Sequence, residues 1–422
     1  MKFGIYTLGC KVNAYESEFV SALLENHGYI KQDFNDINDI YIINTCTVTN
    51  NSDVKSRKII SKALNKNKDA CIVVMGCFIE ANKDYNKDGI SIIIGNKDKS
   101  KIVELLDEYF KKKKQIIKVY DKLDSNFEDM EIKTFGNRCR AFVKIQDGCE
   151  NFCTYCIIPY VRGKCRSKDP KKVIEEITDL VNNNYKEIVL TGIHTGNYGV
   201  DINYSFAKIL KDIVKIKNLK RLRISSIEIT ELNNEVLDII KNNKVIVDHL
   251  HIPLQSGSER ILKLMNRKYN KKYFLDKIEE IRSIRPNIAI STDVIVGFPG
   301  ETEEDFNECL DFCKKIEFTK IHVFPYSIRK NTPAAKMPNQ VNGVVKKQRV
   351  KELLELSKNL EISYMKKYIG KYVEVLIEES IDGISYGHTD NFLYIRLNKE
   401  YKQEDIVKVL IEDISYPYCI GK

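Results

Sequence analysis

The sequence predicts an α/β multidomain protein: an N-terminal open parallel α/β sheet, a central partial (β/α)6 barrel and a C-terminal small all-β barrel. Three observations carry this. Strand-like and helix-like segments alternate through about the first hundred residues. Six further strand-then-helix repeats run from about Arg140 to Arg329. The last fifty or so residues alternate apolar and polar positions at period two, with turn residues and no helix between them. A chain of 422 residues exceeds the usual single domain, so several cores are expected. Its 43% hydrophobic and 30% charged residues suit globular units that each bury one.

In the first unit, Phe3 to Leu8, Asp39 to Asn44, Cys71 to Met75 and Ile92-Ile93-Ile94 read as strands. Glu16 to Glu25, Ser52 to Asn65 and Ser100 to Tyr109 read as the helices between and behind them. Such βαβ repetition implies a parallel sheet with helices on both faces. Residues 113–138, charged and weakly periodic, read as a linker after a domain spanning 1–112. Met1-Lys2-Phe3-Gly4-Ile5-Tyr6 is strand-like rather than a signal peptide. No apolar run approaches the ~20 residues needed to span a bilayer. Twelve cysteines in this length do not make a disulfide-dense secreted scaffold, and their clustering at loop starts suits thiolate ligands in a reducing cytoplasm.

Two sets of cysteines stand apart. Cys149, Cys153 and Cys156 have CxxxCxxC spacing directly after the strand-like run Ala141 to Ile145. Three thiolates on one short loop suit a [4Fe–4S] cluster with one iron open, whereas structural zinc wants four ligands and no second CxxC or HxxxH lies nearby. Cys10, Cys46 and Cys77 each fall just past the C-terminal end of an expected strand. They are separated by about one βαβ unit of ~30 residues. In an open parallel sheet those ends share one edge, so three distant thiols would meet and hold a second cluster.

The barrel strands are Ala141–Ile145, Glu187–Leu190, Arg221–Ser225, His249–Leu254, Ile288–Val296 and Lys320–Pro325, within a domain spanning 139–345. Pro170–Val181, Tyr204–Lys215 and Thr302–Ile316 are among its helices. Chemistry in such a barrel sits at the C-terminal strand ends. Thr191-Gly192-Ile193-His194, Ser225 to Glu228, Gln255 to Ser258 and Gly297 to Glu301 collect there, around the mouth that the Cys149 loop enters. A lysine-rich amphipathic helix, 346–368, then leads to the unit spanning 369–422, whose strands are Tyr372–Glu378, Gly383–His388, Phe392–Leu397 and Ile406–Ile411. A small closed β-barrel of this kind often binds nucleic acid, with Tyr386, His388, Phe392 and Tyr394 as candidate stacking faces. The formal charge of +9 permits a polyanionic partner without establishing one.

The chain resembles the radical-SAM methylthiotransferases over nearly its whole length, and within them the branch that modifies N6-threonylcarbamoyladenosine (t6A) in tRNA. The residues carrying the resemblance are Thr7 to Asn13, Asn44 to Thr49, Gly76-Cys77, Lys144 to Cys149, Cys153 to Pro159, Leu190 to His194, His251 to Gly257 and His322 to Ser327. Lys11-Val12-Asn13 and Lys144 to Cys149 look like the t6A branch and unlike the isopentenyladenosine and ribosomal-protein branches. The family organisation is a methylthiotransferase domain, a radical-SAM barrel and a C-terminal TRAM domain, and it coincides with the three units.

The resemblance implies two [4Fe–4S] clusters, with S-adenosylmethionine (SAM) as radical source and methyl donor. Cys149, Cys153 and Cys156 would hold the cluster that reduces SAM to a 5′-deoxyadenosyl radical able to take hydrogen from C2 of adenine. Cys10, Cys46 and Cys77 would hold the auxiliary cluster that carries or supplies sulfur. Implied SAM contacts are Tyr155 over the adenine or shielding the cluster, Thr191 and Gly192 at the methionyl end, Glu228 and Gln255 at its amino group or ribose, and Gly297 beside the adenine. Arg162 and Arg166 would touch SAM carboxylate or RNA phosphate, or form ion pairs at the rim. The implied partners are a tRNA anticodon stem-loop carrying t6A at position 37 and an electron donor such as flavodoxin or ferredoxin, with no membrane. Isopentenyladenosine in tRNA, or an aspartate of a ribosomal protein, is the alternative substrate. Cys71, Cys139, Cys165, Cys309, Cys313 and Cys419 are expected to stay out of the chemistry, as are His194 and His388 as metal ligands.

Overall fold

The computed structural model describes every residue except 122, 124–125, 134–135 and 137–138. The first unit is a parallel sheet of β1 Lys2–Thr7, β2 Ile30–Lys31, β3 Ile40–Thr45, β4 Cys71–Gly76, β5 Ile92–Ile94 and β6 Ile116–Lys118, in the order β2-β1-β3-β4-β5-β6. Central strands β3 and β4 are buried on both faces, which is why they read as unbroken apolar runs. Ile40, Ile42, Val73 and Met75 pack beneath helices α1 Lys11–Asn26 and α4 Ile102–Lys112. Tyr41, Ile43, Ile72 and Val74 pack on the other face beneath α2 Asn50–Lys66. Strands β2 and β6 are too short to show a period. β6 lies inside the stretch read as a linker, where it pairs with β5 through Ile92 and Ile116. Residues 122, 124–125, 134–135 and 137–138 of that stretch lie outside the described residues.

The central unit has six parallel strands: β7 Arg140–Lys144, β10 Glu187–Thr191, β11 Arg221–Ile224, β12 His249–His251, β13 Ala289–Val296 and β14 Lys320–Pro325. Between the first two, β8 Gln146–Asp147 pairs antiparallel with β9 Arg166–Ser167 and closes the base of the cysteine loop. The strands form two sheets, β11-β10-β7 and β12-β13-β14. Parallel bridges at Leu222–Ile246 and Ser226–His251 join them into one partial barrel.

Alternation decides what each barrel face does. Ala141, Val143, Ile188, Leu190, Leu222, Ile224, Leu250 and Ile290 enter one core with the surrounding helices. The intervening positions, among them Arg140, Glu187, Arg221, Arg223, His249, His251, Ser291 and Asp293, point the other way, into the barrel. The barrel interior is therefore lined with charge and imidazole rather than packed with branched side chains.

The helix Gly343–Lys366, capped by Asn342, crosses β14, whose Ile321 N–H donates to Ser357 Oγ at 2.9 Å. It delivers the chain to a closed barrel of β15 Tyr372–Ile381, β16 Ile384–Thr389, β17 Tyr394–Leu397, β18 Ile406–Ser415 and β19 Tyr418–Gly421, in the order β15-β16-β17-β19-β18. Val375, Ile377, Ile395, Leu397, Val409, Ile411 and Cys419 fill it. β19 was not legible, because four residues directly after Pro417 carry little pattern; it nevertheless closes the barrel.

Candidate functional site

Cys10 precedes the first turn of α1, Cys46 follows β3, and Cys77 follows β4 as the first residue of the short helix α3, Cys77–Ala81. Three adjacent parallel strands thus present one thiol each at the same sheet edge. Gly9 makes the approach possible: it has φ +102°, and a Cβ there would sit 2.9 Å from Cys46 Cβ and 3.0 Å from its Sγ. Burial together with the Cys77 and Cys10 thiols pushes the Cys46 thiol up to about 11.

The second thiol set lies on a loop pinned at several points. Cys149 N–H donates to Gly163 O at 3.1 Å, and Thr154 donates through N and Oγ1 to Met265 O and Leu264 O. Gly148 has φ +75°, and a Cβ there would lie 1.9 Å from Lys164 O, so only glycine fits. Arg267 Nη1 donates to Cys153 Sγ at 3.3 Å, and His194 Nδ1 lies 3.7 Å from Cys149 Sγ. Burial and the neighbouring Cys153 and Cys149 thiols push Cys156 up to about 12.

These thiols are unpaired, and neither set is as tight as a single zinc needs. Zn–S bonds of ~2.3 Å place neighbouring sulfurs about 3.8 Å apart. Among the described residues, the His/Cys/Asp/Glu group whose ligand atoms converge within 4.8 Å is His251, Asp293 and His322, and no cysteine belongs to it. Three free thiols, set wider than a mononuclear site, fit an iron–sulfur cluster in both places.

Arg162 ends the helix α5 Ile158–Arg162 and joins the two sets. Its guanidinium is fully buried and donates from Nε to Cys77 Sγ at 3.3 Å, from Nη1 to Glu16 Oε1 at 2.9 Å and Asp147 Oδ1 at 3.1 Å, and from Nη2 to Asn13 Oδ1 at 2.8 Å. Its donors are spent on these protein groups: the ion-pair alternative allowed by the sequence is the one observed, in a buried position rather than at the rim. Glu16 and Asp147 are further held by Lys144, and Glu16 by Lys99. Burial opposes ionisation of both acids, but Arg162 and Lys144 outweigh it and hold each well below the usual carboxylate range. Arg166, also buried, lies 3.7 Å from Asp147.

Two cavities open from this region. One, of about 200 Å³, is lined by Tyr155, Cys156, Gln255, Asp293 and Phe324. The other, of about 180 Å³, lies between the two barrels and meets Lys11, Arg223, His249, His251, Phe392 and Tyr394. His251 Nε2 lies 3.2 Å from Asp293 Oδ2, so this pair stands between the two.

Comparison with known proteins agrees with this geometry. Residues 143–313 match the Radical SAM superfamily and residues 2–95 the uncharacterized protein family UPF0004. The threonylcarbamoyladenosine tRNA methylthiotransferase MtaB of Bacillus subtilis is 43% identical over 428 residues, covering 99% of this chain and 95% of that protein. The chain belongs to the radical-SAM methylthiotransferases. The corresponding MtaB of Thermotoga maritima is 39% identical, over 92% of this chain and 89% of the relative. The tRNA-2-methylthio-N(6)-dimethylallyladenosine synthase of Clostridium botulinum (strain Langeland) is 40% identical, over 89% and 86%. In fold, the chain is similar to the radical SAM methyltransferase TsrM of Kitasatospora setae, with TM-score 0.58 at 14% identity over 79% of this chain and 74% of that one. As a radical-SAM enzyme the methylthiotransferase uses SAM and a [4Fe–4S] cluster.

The SAM-contact positions expected from sequence are not all in one place. Tyr155 and Gln255 share the cavity beside Cys156. Thr191 Oγ1 is buried with no partner, and Gly192 packs against Gln146, where a Cβ would lie 3.1 Å from its Cβ. Glu228 pairs with Arg267, the residue that also touches Cys153. Gly297 is covered by Lys346, whose Cγ would lie 2.4 Å from an added Cβ, and its N–H donates to Glu301 Oε1 at 2.7 Å.

Sequence reasoning about this methylthiotransferase missed Arg267, which no spacing links to the cysteine loop. It also set His194 aside, yet that ring sits against Cys149. Burial opposes its protonation, but the Cys149 and Cys165 thiols and Glu231 push it up to about 12. His388, Phe392 and Tyr394 stack on one another and line the inter-barrel cavity, with His388 and Tyr394 centroids 4.6 Å apart at 9°. Cys309 accepts the Gly257 N–H, and Cys313 is fully buried in the core, as expected of structural thiols.

Proposed function

We propose that this methylthiotransferase inserts a methylthio group at C2 of t6A at position 37 of tRNA. One observation carries the reading: the match to the Bacillus relative named for t6A covers 99% of this chain and 95% of that protein. Dimethylallyladenosine is the second reading, supported by the Clostridium relative at nearly equal identity over a shorter span.

Cys149, Cys153 and Cys156 hold the SAM-binding cluster, and Cys10, Cys46 and Cys77 hold a second [4Fe–4S] cluster. With SAM bound, the first cluster would supply the reducing electron for radical chemistry able to take hydrogen from an aromatic C–H, beyond the reach of any side-chain acid or base. The chain's own residues do the rest. Tyr155 and Gln255 shape the SAM cavity, and the unpartnered Thr191 Oγ1 offers SAM a hydrogen bond. Glu228 and Gly192 steady the loop edges, while Gly297 lets Lys346 cover the rim. Arg162 holds the Cys77 side of the sulfur-bearing cluster against the radical-forming loop. The C-terminal barrel receives the anticodon stem-loop, and a flavodoxin or ferredoxin donates the electron in a reducing cytoplasm.

The test is to digest tRNA from cells with and without this gene and quantify modified nucleosides by mass spectrometry. The methylthio derivative of t6A should vanish on deletion and return with the gene on a plasmid. Loss of the isopentenyl derivative instead would overturn the substrate assignment.

A further inference from the structure

The inter-barrel cavity carries positive charge that the protein itself does not neutralise. Arg223 is 3% exposed and spends Nε and Nη2 on Glu187, at 2.6 and 3.3 Å, while its Nη1 is buried with no partner. Glu187 cannot satisfy more, because Arg140 and Arg221 also converge on it, at 4.0 and 3.8 Å. Arg140 is paired with Glu378, and Asp293 with His251, so neither acid is free. Lys11, the first residue of α1, reaches the same cavity, and among the described residues its ammonium makes no hydrogen bond or ion pair. His249 adds a second orphan: Ser291 Oγ engages its Nε2 at 3.0 Å, and its Nδ1 has no partner. An unpaired buried guanidinium N–H costs more than a neutral one, so a native wall bearing such a group beside a free ammonium is built for an acceptor that arrives with the ligand.

The surroundings say what kind of ligand. Phe392 lies under both Arg223 and Arg140, at 4.8 and 5.3 Å from the ring centroid, and stacks with His249 at 5.0 Å. With His388 and Tyr394 the rings form a continuous aromatic shelf from one barrel to the other. A planar base can lie on such a shelf. A charged arm projecting from that base would meet Lys11 and Arg223, whose donors match a carboxylate. Resting on the t6A reading above, we infer that Lys11 and Arg223 bind the threonyl carboxylate of the substrate nucleoside and so select it over nucleosides with a neutral N6 arm. Lys11 sits directly after Cys10, so carboxylate capture there also fixes the nucleoside against the sulfur-bearing triad.

The experiment uses reconstituted full-length protein and anticodon stem-loop RNAs carrying t6A, t6A methyl ester or unmodified adenosine at position 37. Lys11→Gln should weaken binding of the t6A RNA roughly tenfold or more, leave the methyl ester and unmodified RNAs unaffected, and leave iron content at the wild-type level. Lys11→Arg should restore most of the loss, and Arg223→Gln should act in the same direction as Lys11→Gln. Equal weakening for all three RNAs would make Lys11 a phosphate contact and overturn the inference, as would unchanged t6A binding. Failure of the wild-type protein to methylthiolate the t6A RNA at all would instead overturn the substrate reading, independently of Lys11.

Discussion

Arg162 is where the two halves of the molecule share one side chain. It leaves the radical-SAM loop on α5 and ends on Cys77 of the other domain, with Glu16 and Asp147 balancing its charge. Removing it opens a void and strips both acids of a donor. Arg162→Ala should therefore cost about 3 kcal/mol or more, read from denaturant unfolding, and should reduce iron retained by the N-terminal triad. Arg162→Lys keeps the charge but loses the fork, so it should recover stability better than iron retention. The cysteine positions were legible because ligand spacing and strand ends are local features. Arg162 was not: its partners lie 146, 85 and 15 residues away, and nothing near Arg162 in sequence distinguishes it from a solvated rim residue. The same holds for Arg267, 114 residues from Cys153.

At the scale of elements, the long periodic segments were readable and the short ones were not. Strands β3, β4 and β13 announce themselves by apolar runs or strict alternation. Strands β2 and β6, with two and three residues, exist only because a neighbouring strand offers hydrogen bonds. The inner face of the barrel lay in between. Alternation was visible in Arg221 to Ile224, but which polar residues converge depends on register across β7, β10 and β11. Two glycines test how rigid the elements must be. Gly148→Ala forces a Cβ into Lys164 O at a left-handed φ, so it should dislodge the cysteine loop and abolish SAM cleavage while the N-terminal cluster persists in iron analysis. Gly387→Ala would place a Cβ 2.1 Å from Leu376 O across the β15–β16 pair. It should lower affinity for tRNA, measured by filter binding, with SAM cleavage in the absence of RNA unchanged.

Across the whole molecule, three units meet around one reaction volume. The N-terminal sheet brings three thiols and Lys11, the central barrel brings three thiols and a polar interior, and the small barrel supplies three of the four rings of the aromatic shelf, with His249 the fourth. If each triad binds its own cluster, Cys46→Ala should leave reductive SAM cleavage intact, abolish methylthiolation and lose about half of the iron. Cys153→Ala should abolish both activities. The most direct measurement is a single anaerobic reaction: reconstituted protein, SAM, a reductant and t6A-containing tRNA, with nucleosides resolved by mass spectrometry. The methylthio derivative of t6A is the expected product, and it should be absent with Cys46→Ala. t6A left unmodified by the wild-type protein, or undiminished product from Cys46→Ala, would contradict the two-cluster t6A enzyme.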